Sequence, residues 1–356
     1  MSEGKEKPKE TGLMPGLGVD VGTANIVVAR RAEDGSFVVK HHRNMLFEMD
    51  VSDEATDLLG KGHFLYLKSG SKYYIVGEDA LRLVNAIGRG EIIRPMQNGL
   101  LNPELKKAKD LLFYIIKAIV GEPLVEGEAL RFTLPADPAD KPEINNVFHR
   151  MILESFFVNL GYSAKPINEA MANLYSEAPS MEVDGEVCQL SGMSASCGAG
   201  MVNVCVAFKG LPVCEFSLTR SGDHIDRQVS NVTVENIGRV IKIKEKTLDL
   251  SKDNSSDNVL QALSIYYDEF IKRVFSATAR ELTRRGVKVD GSVPIILCGG
   301  TAMAPHFVDR VKLVISSLDM PFVVREVILS NNPFFSVSQG CCLAAQNDWK
   351  RSAAKP

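Results

Sequence analysis

The apolar positions of this chain fall into short β-branched runs separated by glycine turns, and the first of these, Leu17 to Arg31, organises the rest. Leu17 and Val19 lead into a strand ending at Asp20. Gly22-Thr23-Ala24-Asn25 makes a turn, and Ile26, Val27, Val28 and Ala29 supply an apolar run suited to a buried second strand. Phe37 to Lys40 reads as a third strand, and Asn44 to Gly60 reads as irregular. His63 to Lys68 and Lys72 to Val76 read as strands around a Ser69-Gly70-Ser71 turn, followed by a short helix from Ala80 to Ala86. After the loop Arg94 to Gly99, Asn102 as N-cap, Pro103 at the first position and Gly121 at the far end bracket a helix with one apolar face. Ala129 to Leu134 is a strand stopped by Pro135, Pro142 to Leu160 a helix stopped by Gly161, and Ala164 to Ile167 a short strand. Asn168-Glu169 then opens a helix to about Ser176.

The pattern begins again after this helix. Glu186 to Leu190 reads as a strand, Ser194 to Gly200 as a small-residue turn, and Val202 to Phe208 and Leu211 to Leu218 as two further strands. The repeated order is an internal structural repeat, weak in residue identity and clear in pattern. It predicts α/β layering in two halves. Helical stretches follow Asp226, then a linker from Leu248 to Asp257 and a long helix from about Asn258 to Arg285 ended by Gly286. Val293 to Leu297 is a buried strand running into Cys298-Gly299-Gly300-Thr301. A helix from Pro305 to Leu318, a strand near Val323 and a helix near Gly340 to Gln346 complete the pattern.

With 356 residues the chain is long enough for two compact domains, and 45% apolar with 24% charged residues is ordinary for a soluble globular protein. A net charge of −3 gives no reason to expect nucleic acid or an anionic membrane as a direct partner. The seven cysteines form no CxxC pair and the six histidines are scattered, so reduced thiols and no zinc site are expected. No secretory signal or membrane span is visible, and a cytoplasmic location is expected. Residues 1–16 are polar, carry no apolar stripe, and read as a disordered tail with no membrane anchor.

The chemistry of the opening hairpin follows from its residues. Glycine at the tip lets backbone N–H groups approach a phosphate, and Asp20 beside it offers a carboxylate to a phosphate-bound Mg²⁺ or its water. A plain β-hairpin fits the same residues. Further segments fall in a telling order along the chain. Asp20-Val21-Gly22-Thr23-Ala24-Asn25 is similar to the first phosphate loop of bacterial actins, Val76 to Ala80 resembles their VGxEA segment, and Arg94-Pro95 to Gly99 their RPxxxG connector. Asn168-Glu169-Ala170 lies where they carry a catalytic glutamate. Gly222, Asp223 and Asp226 resemble their GGDxxD segment, and Cys298-Gly299-Gly300-Thr301 resembles the glycine pair that packs on adenosine. The chain therefore resembles the actin, DnaK-type chaperone and sugar-kinase superfamily, and within it the bacterial actins of the MreB, MamK and ParM type.

The resemblance implies an actin-like ATPase fold: two ribonuclease-H-like lobes with ATP and Mg²⁺ in the cleft between them. It implies that Gly22, Thr23, Ala24 and Asn25 hold phosphates, that Asp20 holds the metal, and that Gly299, Gly300 and Thr301 face the adenosine, with Gly222 and Asp223 nearby. Glu169 would orient or activate the attacking water, although a solvated carboxylate in the first turn of a helix also fits it. The second phosphate hairpin departs from the family. Ser196 stands at its aspartate position, followed by Cys197, Gly198, Ala199 and Gly200, while Met201 and Val202 replace two threonines. Ser196, Gly198, Ala199 and Gly200 can still meet phosphate, but apolar side chains cannot hydrogen-bond a water, so the hydrolytic half looks weakened. Asn203 is the candidate substitute. Arg239, Lys242 and Lys244 are equal candidates for the cation on the adenosine side.

The implied organisation is a tail over 1–16, a first lobe over 17–168 with a smaller subdomain at about 40–90, a second lobe over 169–346 with a smaller subdomain at about 227–290, and a tail over 347–356. A return of the final helix to the first lobe is left open. The implied function is a slow ATPase that polymerises with itself into cytoplasmic filaments, with an adaptor protein as a further partner. A non-polymerising nucleotide-binding regulator and a small-molecule kinase of the same superfamily are the alternatives.

Overall fold

The computed structural model describes residues 12–62, 64–87, 92–177, 181–183, 186–188, 191–289 and 291–353. Two five-stranded sheets carry the architecture. The first contains β1 (Leu17–Val21), β2 (Asn25–Arg31), β3 (Phe37–Arg43), β4 (Ala129–Leu134) and β5 (Ser163–Asn168), in the spatial order β5-β4-β1-β2-β3. The second contains β6 (Gly192–Cys197), β7 (Val202–Phe208), β8 (Leu211–Leu218), β9 (Ser292–Cys298) and β10 (Val323–Leu329), in the order β8-β7-β6-β9-β10. Read from the other edge the second order is identical to the first. In each sheet the opening three strands form an antiparallel meander and the last two join in parallel. The internal repeat is thus real, and both lobes have the ribonuclease-H-like sheet.

The repeat does not start where the sequence pattern places it. Glu186–Cys188 pairs in a small hairpin with Met181–Val183, and Gln189 and Leu190 lie outside the described residues. The first strand of the second sheet is instead Gly192–Cys197, read above partly as turn. Its glycine, serine and alanine residues have weak strand propensity, yet every one is buried. They are small because the Glu169–Glu177 helix lies directly on them, with Asn173 Nδ2 donating to Ser194 Oγ at 2.9 Å.

Other elements differ for similar reasons. Asn44 to Gly60 is not irregular: it holds a strand, Leu46–Asp50, and a helix, Asp53–Gly62, whose first turn is capped by Ser52 Oγ accepting from Ala55 N–H at 3.1 Å. Those elements, with the strands Tyr66–Ser69 and Lys72–Val76 and the helix Glu78–Ile87, form a small satellite around a separate apolar cluster. His63, assigned above to a strand, lies outside the described residues. Asn102 caps only a turn, accepting from Glu104 N–H, and the helix proper is Ala108–Val120. The segment 248–257 is pinned: Leu248 and Leu250 are buried, and Asp257 caps the helix Asn258–Arg284 by accepting from Val259 and Leu260. The helix after Pro142 begins only at Val147, and that after Pro305 spans Phe307–Ile315. At the N-terminus residues 1–11 are outside the description, but 12–16 are tied down, with Leu13 bridging Ala32 and Met14 N–H donating to Arg31 O at 2.9 Å.

The final helix is the largest correction. It spans Ser336–Ala353, well beyond Gly340 to Gln346, and it takes up residues 347–353 of the expected tail. It packs on β1, β2 and β4, so the chain ends on the first sheet. It also lies against the Glu169–Glu177 helix, which covers β6 and β7. Small residues permit the approach: a Cβ on Gly340 would strike the backbone of Ala172, and one on Gly18 the backbone of Ser338 and Cys342. This pair of helices joins the two sheets, and the cleft opens beside it. No helix among the described residues is long and apolar enough to cross a membrane.

One buried group predicts a pH dependence. His149, on the inner face of Val147–Asn159, is 3% exposed and neither ring nitrogen has a hydrogen-bond partner. Burial disfavours its charged form and lowers its pKa to about 4. The unfolded chain, with a histidine near 6.5, therefore binds the extra proton first. Stability is unaffected above pH 6.5, falls as pH drops from 6.5 to 4, and loses about 3 kcal/mol over that window. Chemical denaturation of wild type and His149→Leu at pH 7 and pH 4.5 checks this. The acid loss should shrink by most of that amount in the variant, and an equal slope in both proteins would refute it.

Candidate nucleotide cleft

The two sheets present equivalent hairpins to one cavity of about 540 Å³, within the roughly 300–1,000 Å³ of small-molecule sites. Asp20 and Ser196 hold the same place in each: Asp20 pairs with Val27 and Ser196 with Asn203, two residues before the tip glycine. Each tip closes alike, Gly22 N–H donating to Asn25 O at 3.0 Å and Gly198 N–H to Met201 O at 3.1 Å. Side chains at the strand ends fix the tips further. Asn44 Nδ2 donates to Gly22 O at 2.9 Å. Gly198 O accepts from Ser221 Oγ at 2.6 Å and from Thr301 Oγ1 at 2.8 Å. Thr23 spans the gap between the hairpins. It accepts from Gly99 N–H at 3.0 Å, and its side chain fills the space a Cβ on Gly200 would need. The Arg94 to Gly99 segment, read above as a loop, is a short β-ribbon, Met96–Gln97 with Leu100–Leu101, that carries Gly99 to this point.

Two carboxylates stand at the bottom. Asp20 Oδ1 accepts from Thr133 Oγ1 at 3.1 Å, while Thr133 Oγ1 itself accepts from Val21 N–H at 2.7 Å. Burial raises the pKa of Asp20, with the Thr133 hydrogen bond opposing. Glu169 is held by the helix that follows Asn168, whose Oδ1 accepts from Ala170 and Met171 N–H, and its Oε2 accepts from Ser196 Oγ at 3.3 Å. Burial raises the pKa of Glu169, the negative charge of Asp20 raises it further, and the hydrogen-bonding groups of Ser196 and Asn203 oppose. Two buried carboxylates that disfavour each other's charge are a site short of a cation. Among the described residues no group of three His, Cys, Asp or Glu could hold a metal by itself. The donors present therefore fit a Mg²⁺ that brings waters and phosphate oxygens with it, and not a cage of protein ligands alone.

Of the residues singled out in the sequence, Asp20, Gly22, Thr23, Ala24, Asn25, Glu169, Ser196, Gly198, Ala199, Gly200, Asp223, Gly299, Gly300 and Thr301 all line this cavity. Asn203 and Gly222 do not. Asn203 is buried behind the wall, its Oδ1 accepting from Ala136 N–H at 3.1 Å and its amide close enough to Glu169 to favour that carboxylate's charged form. Gly222 is packed under Thr301 at the start of the helix Gly222–Thr233. Among the three candidate cations, Lys244 lines the cavity and pairs with the buried Asp226 at 2.7 Å, whereas Arg239 points outward to Glu235. Burial raises the pKa of Asp226, and Lys244 pulls it back.

Sequence reasoning missed the mouth of the cavity. Arg43, at the end of β3, donates to Glu78 Oε2 at 2.6 Å and to Glu245 Oε2 at 3.0 Å, and Arg94 lies 3.5 Å from Asp223. His41, Tyr267, Met303 and Phe334 also line the walls. Nothing in residue order joins positions so far apart in the chain, so only the fold could assemble this rim.

A family model for volactin matches residues 15–345 of the chain. The chain belongs to the volactin family. Its fold is that of the actin-like ATPases, as similarity to solved structures shows. A MamK double helical filament superposes with a TM-score of 0.65 at 16% identity, covering 93% of this chain and 98% of that one. MreB 5 of Spiroplasma citri bound to AMPPNP gives 0.58 at 15% identity, covering 97% and 99%. The same protein bound to ADP gives 0.57 at 15% identity, covering 96% and 98%. No curated protein matches the chain. The resemblance thus holds at the level of the actin-like fold, and the family is volactin.

Proposed function

We propose that this volactin binds ATP with Mg²⁺ in the cleft, assembles with itself into filaments, and hydrolyses ATP slowly. The observation that carries the reading is the pair of symmetry-related glycine hairpins facing one cavity, with Asp20 and Glu169 buried beneath them. In this reading Gly22, Thr23, Ala24 and Asn25 on one side and Gly198, Ala199 and Gly200 on the other bind the phosphates, and Asp20 holds the metal through water. Thr133 fixes the Asp20 carboxylate. Gly299, Gly300 and Thr301 pack on the adenosine, with Lys244 and Asp223 on its far side. Glu169 orients the attacking water. Ser196 in place of a carboxylate leaves the metal with less negative charge around it, which favours slow turnover over fast. Self-assembly is supported by the fold shared with a MamK filament over nearly the whole length of both chains. The filaments are proposed to be cytoplasmic and attached to other structures through an adaptor protein, with no direct membrane or nucleic-acid contact.

The site is tested at Gly300. An added side chain there meets no protein atom, so it protrudes into the cavity without disturbing the fold. Gly299 is a poorer choice, because its φ of 89° and its contact with the Cys197 backbone would strain the fold itself. Calorimetry with Mg²⁺ and ATP should show affinity reduced at least tenfold in Gly300→Val at unchanged thermal stability. Undiminished affinity would remove the nucleotide from this cleft.

A further inference from the structure

The mouth of the cleft is bridged by a side chain that the proposed chemistry does not use. Arg43 ends β3 of the first sheet, where the chain turns into the small satellite between β3 and β4. Its Nε donates to Glu78 Oε2 at 2.6 Å, its Nη1 to Glu245 Oε1 at 3.3 Å and its Nη2 to Glu245 Oε2 at 3.0 Å. Glu78 opens the satellite helix Glu78–Ile87, so it lies in the same lobe as Arg43. Glu245 is in the last turn of the helix Ile237–Lys246, between β8 and β9 of the second sheet. One guanidinium thus joins the two lobes, and all three residues line the cavity. They stand on its solvent side: the side chains of Glu78 and Glu245 are 52% and 41% exposed, against 21% for Arg43.

This is more than a surface ion pair. Exposed pairs usually contribute little, because two long side chains must be held in one geometry for a screened attraction. Here Glu78 already fixes Arg43, and the fork of the guanidinium meets both oxygens of Glu245, the geometry in which such pairs are strongest. When the lobes part, Arg43 keeps Glu78, so only the cross-lobe half of its contacts is lost and no charge is left alone. The pair is therefore strong enough to hold and weak enough to open. The neighbouring Lys244 is tied to the buried Asp226 at 2.7 Å, which anchors the helix end that carries Glu245. Arg94 of the first lobe also stands 3.5 Å from Asp223 of the second, so two separate ion pairs cross the cavity.

We propose that Arg43 is the latch of the cleft: its fork on Glu245 holds the lobes shut across the mouth and sets how fast a nucleotide enters and leaves. The identity of the ligand rests on the proposed function; the contact between the lobes does not. A latch made between protein groups differs from a ligand contact in its kinetics. Losing a ligand contact speeds release alone and weakens affinity by the same factor. Losing the latch lowers the barrier to passage in both directions, so entry and release both quicken and affinity changes less than either rate.

Stopped-flow kinetics of a fluorescent ATP analogue with Mg²⁺ and full-length protein supply the test. Arg43→Gln and Glu245→Gln should each raise both the entry rate and the release rate about three- to tenfold, with the dissociation constant within about twofold of the unmodified protein. Quicker release with unchanged entry would make these residues ligand contacts and overturn the latch, and rates unchanged in both variants would overturn it too. A second measurement needs no ligand. Protein carrying Arg43→Cys and Glu245→Cys is treated with a short, reducible bis-thiosulfonate; the six native cysteines with described side chains are buried. An intramolecular cross-link is expected without nucleotide, and its absence overturns the proposal. In protein first loaded with the analogue, the cross-link should slow release by about a hundredfold or more, and reduction should reverse this. Release that continues freely through the cross-linked mouth also overturns the latch. An analogue that binds no form of the protein refutes the nucleotide reading, and the cross-link formed without nucleotide then decides the contact between the lobes by itself.

Discussion

Glu169→Gln is expected to lower ATP turnover by about a hundredfold or more while leaving ATP affinity within a few-fold of wild type. The substitution keeps the shape of the side chain and its contact with Ser196 Oγ, and removes only the capacity to accept a proton or hold a full negative charge. The second hairpin offers no substitute carboxylate, because Ser196 stands where the first hairpin has Asp20, and the Oδ1 of Asn203 is engaged with Ala136 N–H. Removal of one well-placed polar group from a catalytic site costs about 10²–10³ in rate where it has been measured, and phosphoryl transfer depends mainly on positioning and charge. Because Glu169 lies beneath the two glycine hairpins, where the proposed reading places the phosphates, and not in the Gly299–Thr301 turn proposed for the adenosine, binding should survive. Steady-state phosphate release together with calorimetry measures both. A rate unchanged by Glu169→Gln would show that hydrolysis, if present, uses another group.

The second large effect lies outside the cleft. Glu128, fully buried before β4, accepts from Arg30 Nη1 at 2.5 Å, from Gly16 N–H at 2.8 Å and from Leu124 N–H at 2.7 Å. Arg30, itself buried on β2, reaches Tyr162 Oη with its other nitrogen at 3.2 Å. One carboxylate thus ties the entry of β1, the second strand, and the turns on either side of β4. Glu128→Ala leaves the Arg30 charge buried without a partner and two backbone N–H groups unsatisfied, and it should destabilise the protein by about 3–5 kcal/mol. The double variant Arg30→Met, Glu128→Leu should recover most of that loss, since an ion pair replaced by apolar residues is often neutral. Denaturant titration of the three proteins decides it, and an additive double variant would refute the pairing as the cause.

Much of the cleft was legible because its residues are local. Hairpin tips, caps and glycine turns are each specified within a few positions, so Asp20, Gly22 to Asn25, Glu169 and Gly299 to Thr301 could be read directly, and all of them line the cavity. The elements that went astray were those whose residues answer to a distant neighbour. Gly192–Cys197 looks like a turn because it must be small beneath the Glu169–Glu177 helix. The last helix looks short because its small and polar residues, among them Gly340, Cys341 and Cys342, are chosen for a close fit to β1 and Ala172 and not for an amphipathic stripe.

By itself, then, the sequence determined the two-fold repeat of strands and turns, the residues of the two glycine hairpins and the serine that stands in the second where the first has Asp20. Each depends on backbone preference or side-chain chemistry at a single stretch. The tertiary structure alone decided that the chain's end returns to the first sheet, that Lys244 and not Arg239 enters the cavity, and that Asn203 lies behind its wall. It also decided that Arg43, Glu78 and Glu245 meet across the mouth. These depend on which faces of two lobes are brought together, and that is fixed by packing between segments far apart in the chain.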